Sequence, residues 1–533
     1  MKKYLLALLL FLPFLVKSQS CEVSGNQNGI WDCDTVFVVD NVIVPEDSKL
    51  IIAEGTKVIF KDYFSIIVNG SFEAVGCEND SIYFTVTDTT GFYRWDCGDG
   101  GWNGLVFQDV KDTLRLEYCH FSYGKAAENM TRGGAVRIYN TDYVVIDNCT
   151  FYCNHTREKG GALYAEHSDV MISNCEVDAN IAFTNDGSYT HGAGFQFHRC
   201  SVKMEDMYFH DNTCNTCYGG GVNFDSCNVE VNKAVFEDNF AVNAAGMGIQ
   251  RSNDYEVRVS NALFHNNIVK HYGGAMAMAT TSPLIQNVTM ANNYCVGAGG
   301  GAMQFYSEAR PIFKNCIIWG NDWLGGSGAI TDGSQIFVWG SDCAPEFYNT
   351  LIEGGYKQIH GNQYIAVYDF PTMLEIDPMF IDTVARNFQL QNDSPAINSG
   401  TIDTTGLMMP ATDLLGNPRI VGSRVDMGCY ESSVTYVNKI KSQDNNLKIF
   451  PNPLTSNSVC SFENKTASQA TLKVTDIRGA QLFVKDLGIL PAGMNEISLS
   501  ELTNVLKNNN IYFISIVTKS KTLKYKIVYK NLL

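Results

Sequence analysis

The sequence predicts an all-β chain: a right-handed parallel β-helix, a solenoid of stacked coils, followed by a small C-terminal β-sandwich. Three observations predict it. A corner of three small residues closed by an apolar one recurs, as Gly133-Gly134-Ala135-Val136, Gly160-Gly161-Ala162-Leu163, Gly192-Ala193-Gly194-Phe195 and Gly219-Gly220-Gly221-Val222, then as Ala244-Ala245-Gly246-Met247, Gly273-Gly274-Ala275-Met276, Gly300-Gly301-Ala302-Met303 and Ser327-Gly328-Ala329-Ile330. Their starting positions step by 25 to 32 residues, most often 27, and self-similarity at such a step marks a repeat architecture. An apolar-x-x-Asn motif follows the first seven corners, ending on Asn154, Asn180, Asn212, Asn239, Asn267, Asn293 and Asn321. After the corners, apolar residues alternate (Val136 and Ile138, Phe195 and Phe197, Val222 and Phe224, Met303 and Phe305), the period of a strand with one buried face.

Further along each repeat the alternation breaks by one residue, as between Ile146, Cys149 and Phe151. The chain must turn there. The residue in the break is Asn148, Asn174, Asp206, Lys233, Asn261, Asn287, Asn315 or Asn349. Asn enters the left-handed backbone region more readily than most residues, and the six Asn, stacked coil on coil, suit a side-chain ladder. One repeat is then about three short strands, which cannot bury their apolar face alone and so must stack. Cysteines keep the same period: Cys200 and Cys227 sit at one offset, Cys119, Cys149 and Cys175 at another. Equivalent positions in adjacent coils lie within disulfide range. A Cys200–Cys227 bridge and a stack of small buried thiols are both open.

The elements follow in order. Residues 1–18 read as a signal peptide, with Lys2 and Lys3 before the apolar run Tyr4 to Val16. Export makes disulfides plausible among the 17 Cys, and the odd number leaves at least one thiol unpaired. The β-helix takes 19–431, with Thr56–Phe60 and Ile66–Gly70 as early strands. The polar stretch 432–447 reads as a linker, and 448–533, with short alternating strands, as the sandwich. A net charge of −17 argues against nucleic acid as a partner.

Several segments carry resemblances. Cys21…Cys33 with Glu54–Phe60, and Trp102–Phe107, resemble the opening coils of secreted bacterial β-helix proteins. The series Ser394–Gly400, Gly416–Arg419 and Val425–Glu431 resembles the closing segment of bacterial surface β-helix proteins, expected to cap the open strand edge. Phe450-Pro451-Asn452-Pro453, Asp476–Gly479 and Ile511–Ile516 resemble the C-terminal sorting domain of type IX secretion cargo in Bacteroidota, covering the whole of 448–533. That resemblance implies engagement by the type IX machinery, passage through the periplasm and outer membrane, and a secreted or cell-surface protein. The corners with their Phe-x-x-Asn partners are also similar to the repeats of chlamydial polymorphic outer-membrane adhesins.

Chemistry is less legible. No Asp-Asp pair or Gly-His-Gly string occurs, so no catalytic residue is assigned, and an exported binding or adhesion protein for polysaccharide or a surface protein is favoured over a polysaccharide lyase or glycoside hydrolase. A cleft joining clustered carboxylates to a Lys or Arg would favour the enzyme, and a flat aromatic or polar face without such a cluster would favour binding. No cofactor is assigned. Calcium is open at the Gly-rich loop holding Asp96, Asp99 and Trp102. His210, Glu237 and His265 occupy one offset in successive coils, a column that suits either a divalent metal or a solvated turn. Cys214-Asn215-Thr216-Cys217 suits a loop disulfide or free thiols.

Overall fold

Each full coil of the repeat runs through a leading strand, a middle strand, a third strand and a short fourth one. One coil reads Val136–Tyr139, Val144–Asp147, Thr150–Tyr152 and His155–Thr156. Every strand pairs in parallel with its counterpart one coil away: Val136 with Leu163, Val144 with Val170, Phe151 with Val177 and His155 with Ile181. The chain is all β, and the β-helix is the coil stack expected from the repeat. A computed structural model describes residues 20–533 except 95, 128–131, 185–189, 298, 324–332, 402–408, 423, 434–446, 453, 465, 477–480, 507–509, 519–521 and 530–533. The expected leader 1–18, the corner Ser327–Ile330, most of the linker 432–447 and Ile477–Gly479 lie outside the described residues. The chain divides into two compact units, Met1–Thr435 and Tyr436–Leu533.

The corners explain the spacing. Left-handed residues stand between leading and middle strands (Asn140 φ 47°, His167 φ 49°, Arg199 φ 52°), between middle and third (Asn148, Asn174 and Asn261, φ 50–51°), and after the third (Cys153 φ 51°, Asp211 φ 55°). The sequence marked only the second of these. At the small-residue corner, Gly160 has φ 69°, and a Cβ on Gly161 would collide with the Ala193 carbonyl of the next coil. The pair Gly-Gly therefore meets two separate demands, handedness and close stacking.

Inside, Phe84, Phe121 and Phe151 stack with centroids 5.0 Å apart, and Phe209, Phe236 and Phe264 at 4.9 and 4.5 Å. The side-chain ladder lies in a different column from the one expected. Asn154, Asn180, Asn212, Asn239, Asn267 and Asn293, all fully buried, each donate Nδ2 to the Oδ1 of the next at 2.8–2.9 Å, ending on Asn321. The expected ladder Asn148, Asn174, Asn261, Asn287, Asn315 and Asn349 makes no such chain. Those residues supply the left-handed turn, and a side chain at that turn points outward. Asn148 and Asn174 donate to Asp147, and the later four meet the closing segment.

That segment does not cap the strand edge. A hairpin (Phe380–Asp382, Asn387–Leu390) and residues 394–401, 409–422 and 424–431 lie as a strap along the outside of the third strands, where Phe380, Phe388, Ala396, Met427 and Cys429 cover Leu263, Ala291, Ile317 and Leu351. Asn261 Nδ2 donates to Thr412 O (2.8 Å), Asn287 Nδ2 to Asp426 O (3.3 Å) and Asn349 Nδ2 to Ser399 O (3.4 Å), while Asn315 Oδ1 accepts from Thr401 N (2.8 Å). The end of the core is covered instead by Tyr356, Tyr364, Ile365, Tyr368 and Met373.

Cys21 and Cys33 form a disulfide, as do Cys214 and Cys217. Cys200 and Cys227 are free thiols, and so are Cys149 and Cys175. Each of these stacks offers sulfur as an acceptor: Cys200 N donates to Cys227 Sγ (3.4 Å) and Cys149 N to Cys175 Sγ (3.3 Å). In the first column the same role falls to hydroxyls, Thr141 N donating to Ser168 Oγ and Cys227 N to Ser252 Oγ. Burial pushes the Cys200 and Cys175 thiols well above their usual range.

The second unit holds two antiparallel sheets, Lys448–Phe450, Val459–Asn464 and Gly493–Ser498 in one, and Gln481–Leu490, Ser468–Thr475, Asn510–Thr518 and Thr522–Tyr529 in the other, around Phe462, Leu472, Ile514 and Ile527.

Candidate functional site

Two rows of side chains face each other across the leading strands. One row is the fourth residue of each strand: Tyr139, Glu166, His198, Asp225, Gln250, Ala279, Tyr306 and Trp339, in register from coil to coil. The other is the residue just before each small-residue corner: Arg132, Lys159, His191, Tyr218, Asn243 and Tyr272, of which Lys159 to Tyr272 are linked coil to coil by parallel bridges. The second residue of each strand forms the floor. There Gly248 and Ala277 follow Tyr164, Gln196 and Asn223, so the floor drops where side chains shrink.

One end is aromatic. Tyr218, His271, Tyr272, Tyr306 and Trp339 wall a cleft of about 490 Å³ with Asn243, Gln304 and Asp342. Ring centroids lie 6.2 Å apart for Tyr218 and Tyr306 and 5.7 Å for Tyr272 and Trp339. Trp339 is 56% exposed. Burial, and then Tyr218, raise the pKa of the Tyr306 hydroxyl. Asn243 Oδ1 and Gln304 Oε1 in the lining, and Asn223 Oδ1 and Gln250 Nε2 beside it, are buried with no hydrogen-bond partner among the described residues. Buried amide atoms without partners are uncommon, and these four lie on one face.

The other end is charged. His198 stands between two carboxylates, Nδ1 at 3.3 Å from Asp225 Oδ2 and Nε2 at 3.9 Å from Glu166 Oε1. Arg251 clamps Asp225 with two bonds, Nε to Oδ1 at 2.7 Å and Nη2 to Oδ2. Burial opposes ionisation of Asp225, but His198 and Arg251 outweigh it and hold the carboxyl well below its usual range. Arg132 Nη1 reaches Tyr164 OH at 2.6 Å and Glu166 Oε2 at 3.3 Å. Burial, then the Arg132 charge, lowers the Lys159 amine, and burial with the Lys159 charge takes His191 down to about 4. This is the join of carboxylates and basic groups that the sequence did not disclose.

The column His210, Glu237 and His265 is in register, and His265 Nε2 stands 3.6 Å from Glu237 Oε2, but His210 turns away from both. His265 is 2% exposed beneath Phe388 of the strap, and burial lowers it to about 4. Glu237 is taken by Arg386 and by Tyr208 OH. His210 turns to the preceding coil, to Glu176 and Asp178, and to Asp211. The strap, which the expectation ignored, consumes the other two. The loop of Asp96 and Asp99 is held by cations: Arg94 pairs with both acids, and Lys125 Nζ donates to Asp99 O at 2.9 Å. Trp102 is buried on Phe60, 4.4 Å between centroids.

Comparison with known families places both units. A model described as a right handed beta helix region matches residues 73–262, and one described as a secretion system C-terminal sorting domain matches 448–530. The chain is a β-helix protein with a type IX sorting tail. No curated protein matches it. The sorting tail makes this β-helix protein a secreted or cell-surface one and gives 448–530 a role with the secretion machinery. Among the described residues no helix is long and apolar enough to cross a membrane.

Proposed function

We propose that this exported β-helix protein binds a polysaccharide chain in the cleft along its leading strands, as a surface or extracellular binding protein. The observation that carries the reading is the pairing, on one face, of the Tyr218–Tyr272–Tyr306–Trp339 walls with unpaired amide atoms of Asn223, Asn243, Gln250 and Gln304. Aromatic faces stack on the apolar faces of sugar rings, and amides satisfy their hydroxyls. A long row of equivalent positions, one coil apart, suits an extended ligand rather than a compact one. The negative net charge leaves nucleic acid unfavoured.

A second reading, a glycoside hydrolase or lyase, is favoured by one observation: the Glu166–His198–Asp225 row beside Arg251. An imidazole oriented by a carboxylate is a competent proton carrier. Against it, His198 and Arg251 hold the Asp225 carboxyl well below its usual range, so it is not free to act as an acid. Incubating the secreted chain with a polysaccharide panel separates the two readings. Retention without new chain ends is expected. New reducing or unsaturated ends, abolished by His198→Ala, would establish the enzyme instead, and neither retention nor cleavage would discard both.

A further inference from the structure

On the third-strand face, away from the cleft, one imidazole is surrounded by three carboxylates. Asp178 and His210 are direct partners in adjacent coils. Asp211, left-handed at φ 55°, brings its own carboxylate back to the ring. His210 Nδ1 stands 3.3 Å from Asp178 Oδ1 and 2.9 Å from Asp211 Oδ2, and the three ligand atoms lie within 4.8 Å of one another. On the opposite edge of the ring, Nε2 is 3.1 Å from Glu176 Oε1.

The two distances from Nδ1 match those between neighbouring ligands of one ion. With metal–ligand bonds of about 2.0–2.2 Å, neighbouring ligand atoms around one ion stand roughly 2.9–3.5 Å apart. The outer carboxylate is the second match, because a metal-bound histidine ordinarily gives its other ring N–H to a carboxylate or carbonyl, which fixes the tautomer. No Lys or Arg among the described residues pairs with Glu176, Asp178 or Asp211, and the nearby Arg386 is committed to Glu237 and Asp238. His210 is held rigidly, stacked on Tyr208 with centroids 4.2 Å apart.

We propose that Asp178, His210 and Asp211 bind a divalent transition metal of the zinc class, with Glu176 positioning the imidazole. The nitrogen ligand selects against calcium and magnesium, which take oxygen. Solvent completes the shell on the side of Asp211, whose side chain is 60% exposed.

The test is calorimetric titration of the metal-free secreted chain with zinc chloride and, separately, calcium chloride, after alkylation of the accessible Cys77 and Cys97. One saturable zinc site and no calcium site are expected. Asp211→Asn, on an exposed side chain, should abolish zinc binding while leaving the unfolding temperature of the metal-free protein unchanged, and His210→Ala should abolish it too. Glu176→Gln should weaken it 10- to 100-fold, the effect of losing an outer-shell partner, and Glu256→Gln on another face should not change it. Absence of a saturable zinc site overturns the proposal. Zinc binding indifferent to Asp211→Asn and Glu176→Gln overturns it equally, since the three carboxylates would then serve only to hold a protonated imidazole.

Discussion

A single asparagine in the buried ladder has more hydrogen bonds than its size suggests. Asn239 donates to Asn267 Oδ1 and Phe209 O, and its Oδ1 accepts from the Asn212 amide and backbone N–H. Asn239→Leu leaves several buried groups unpaired, at about 1–3 kcal/mol each. Chemical unfolding should show a loss of about 3 kcal/mol or more. The opposite holds for Cys200→Ser, because Ser168 and Ser252 already fill that column with an oxygen acceptor. It should change stability by less than about 1 kcal/mol, and a reducing agent should leave the Cys200 region unaffected; a large loss in either would contradict the free-thiol assignment. Both asparagine columns were legible as columns. Which of them forms the ladder was not, since that depends on which turn aims its side chain inward, and sequence period alone does not encode that direction.

At the scale of the element, the strap decides what the outer face of the last coils is for. Phe388 lies over His265 and beside Phe380, in a patch that also buries Leu263 and Ile317. Phe388→Ala should cost about 3 kcal/mol by opening a cavity and should expose 377–431 to protease under native conditions while the coil stack stays intact. The closing segment was visible in the sequence as a series of motifs, yet its docking site was not. A strap that crosses strands it never pairs with leaves no period to read. The cleft rows were in fact readable. Lys159, His191, Tyr218 and Tyr272 each directly precede a corner, and Glu166, His198, Asp225 and Tyr306 each follow the closing apolar residue by three. Buried periodicity does not mark them, because they occupy outward positions, where no packing rule constrains residue type.

For the whole molecule, buried histidines set a pH limit. Burial holds His155 down to about 3, and His191 and His265 to about 4. Their folded values lie below the unfolded value of about 6.5, so the unfolded chain takes up protons first. Their contribution is intact above about pH 6.5 and is lost as pH falls towards those folded values, by up to about 1.4 kcal/mol per pH unit for each. The unfolding temperature should fall between pH 6.5 and 4.5, and His155→Leu should flatten that slope by one proton's worth; an unchanged slope would contradict a neutral buried His155.

The same stack that buries those rings presents the cleft, and what the cleft holds decides the function. The direct measurement is calorimetric titration of the retained polysaccharide into the secreted chain and into a Tyr306→Ala/Trp339→Ala variant of matched unfolding temperature. Loss of stacking at about 0.5–1.5 kcal/mol per ring predicts binding weakened roughly 5- to 150-fold for the pair. Equal affinity in both proteins would place the ligand elsewhere and contradict the cleft as the binding site.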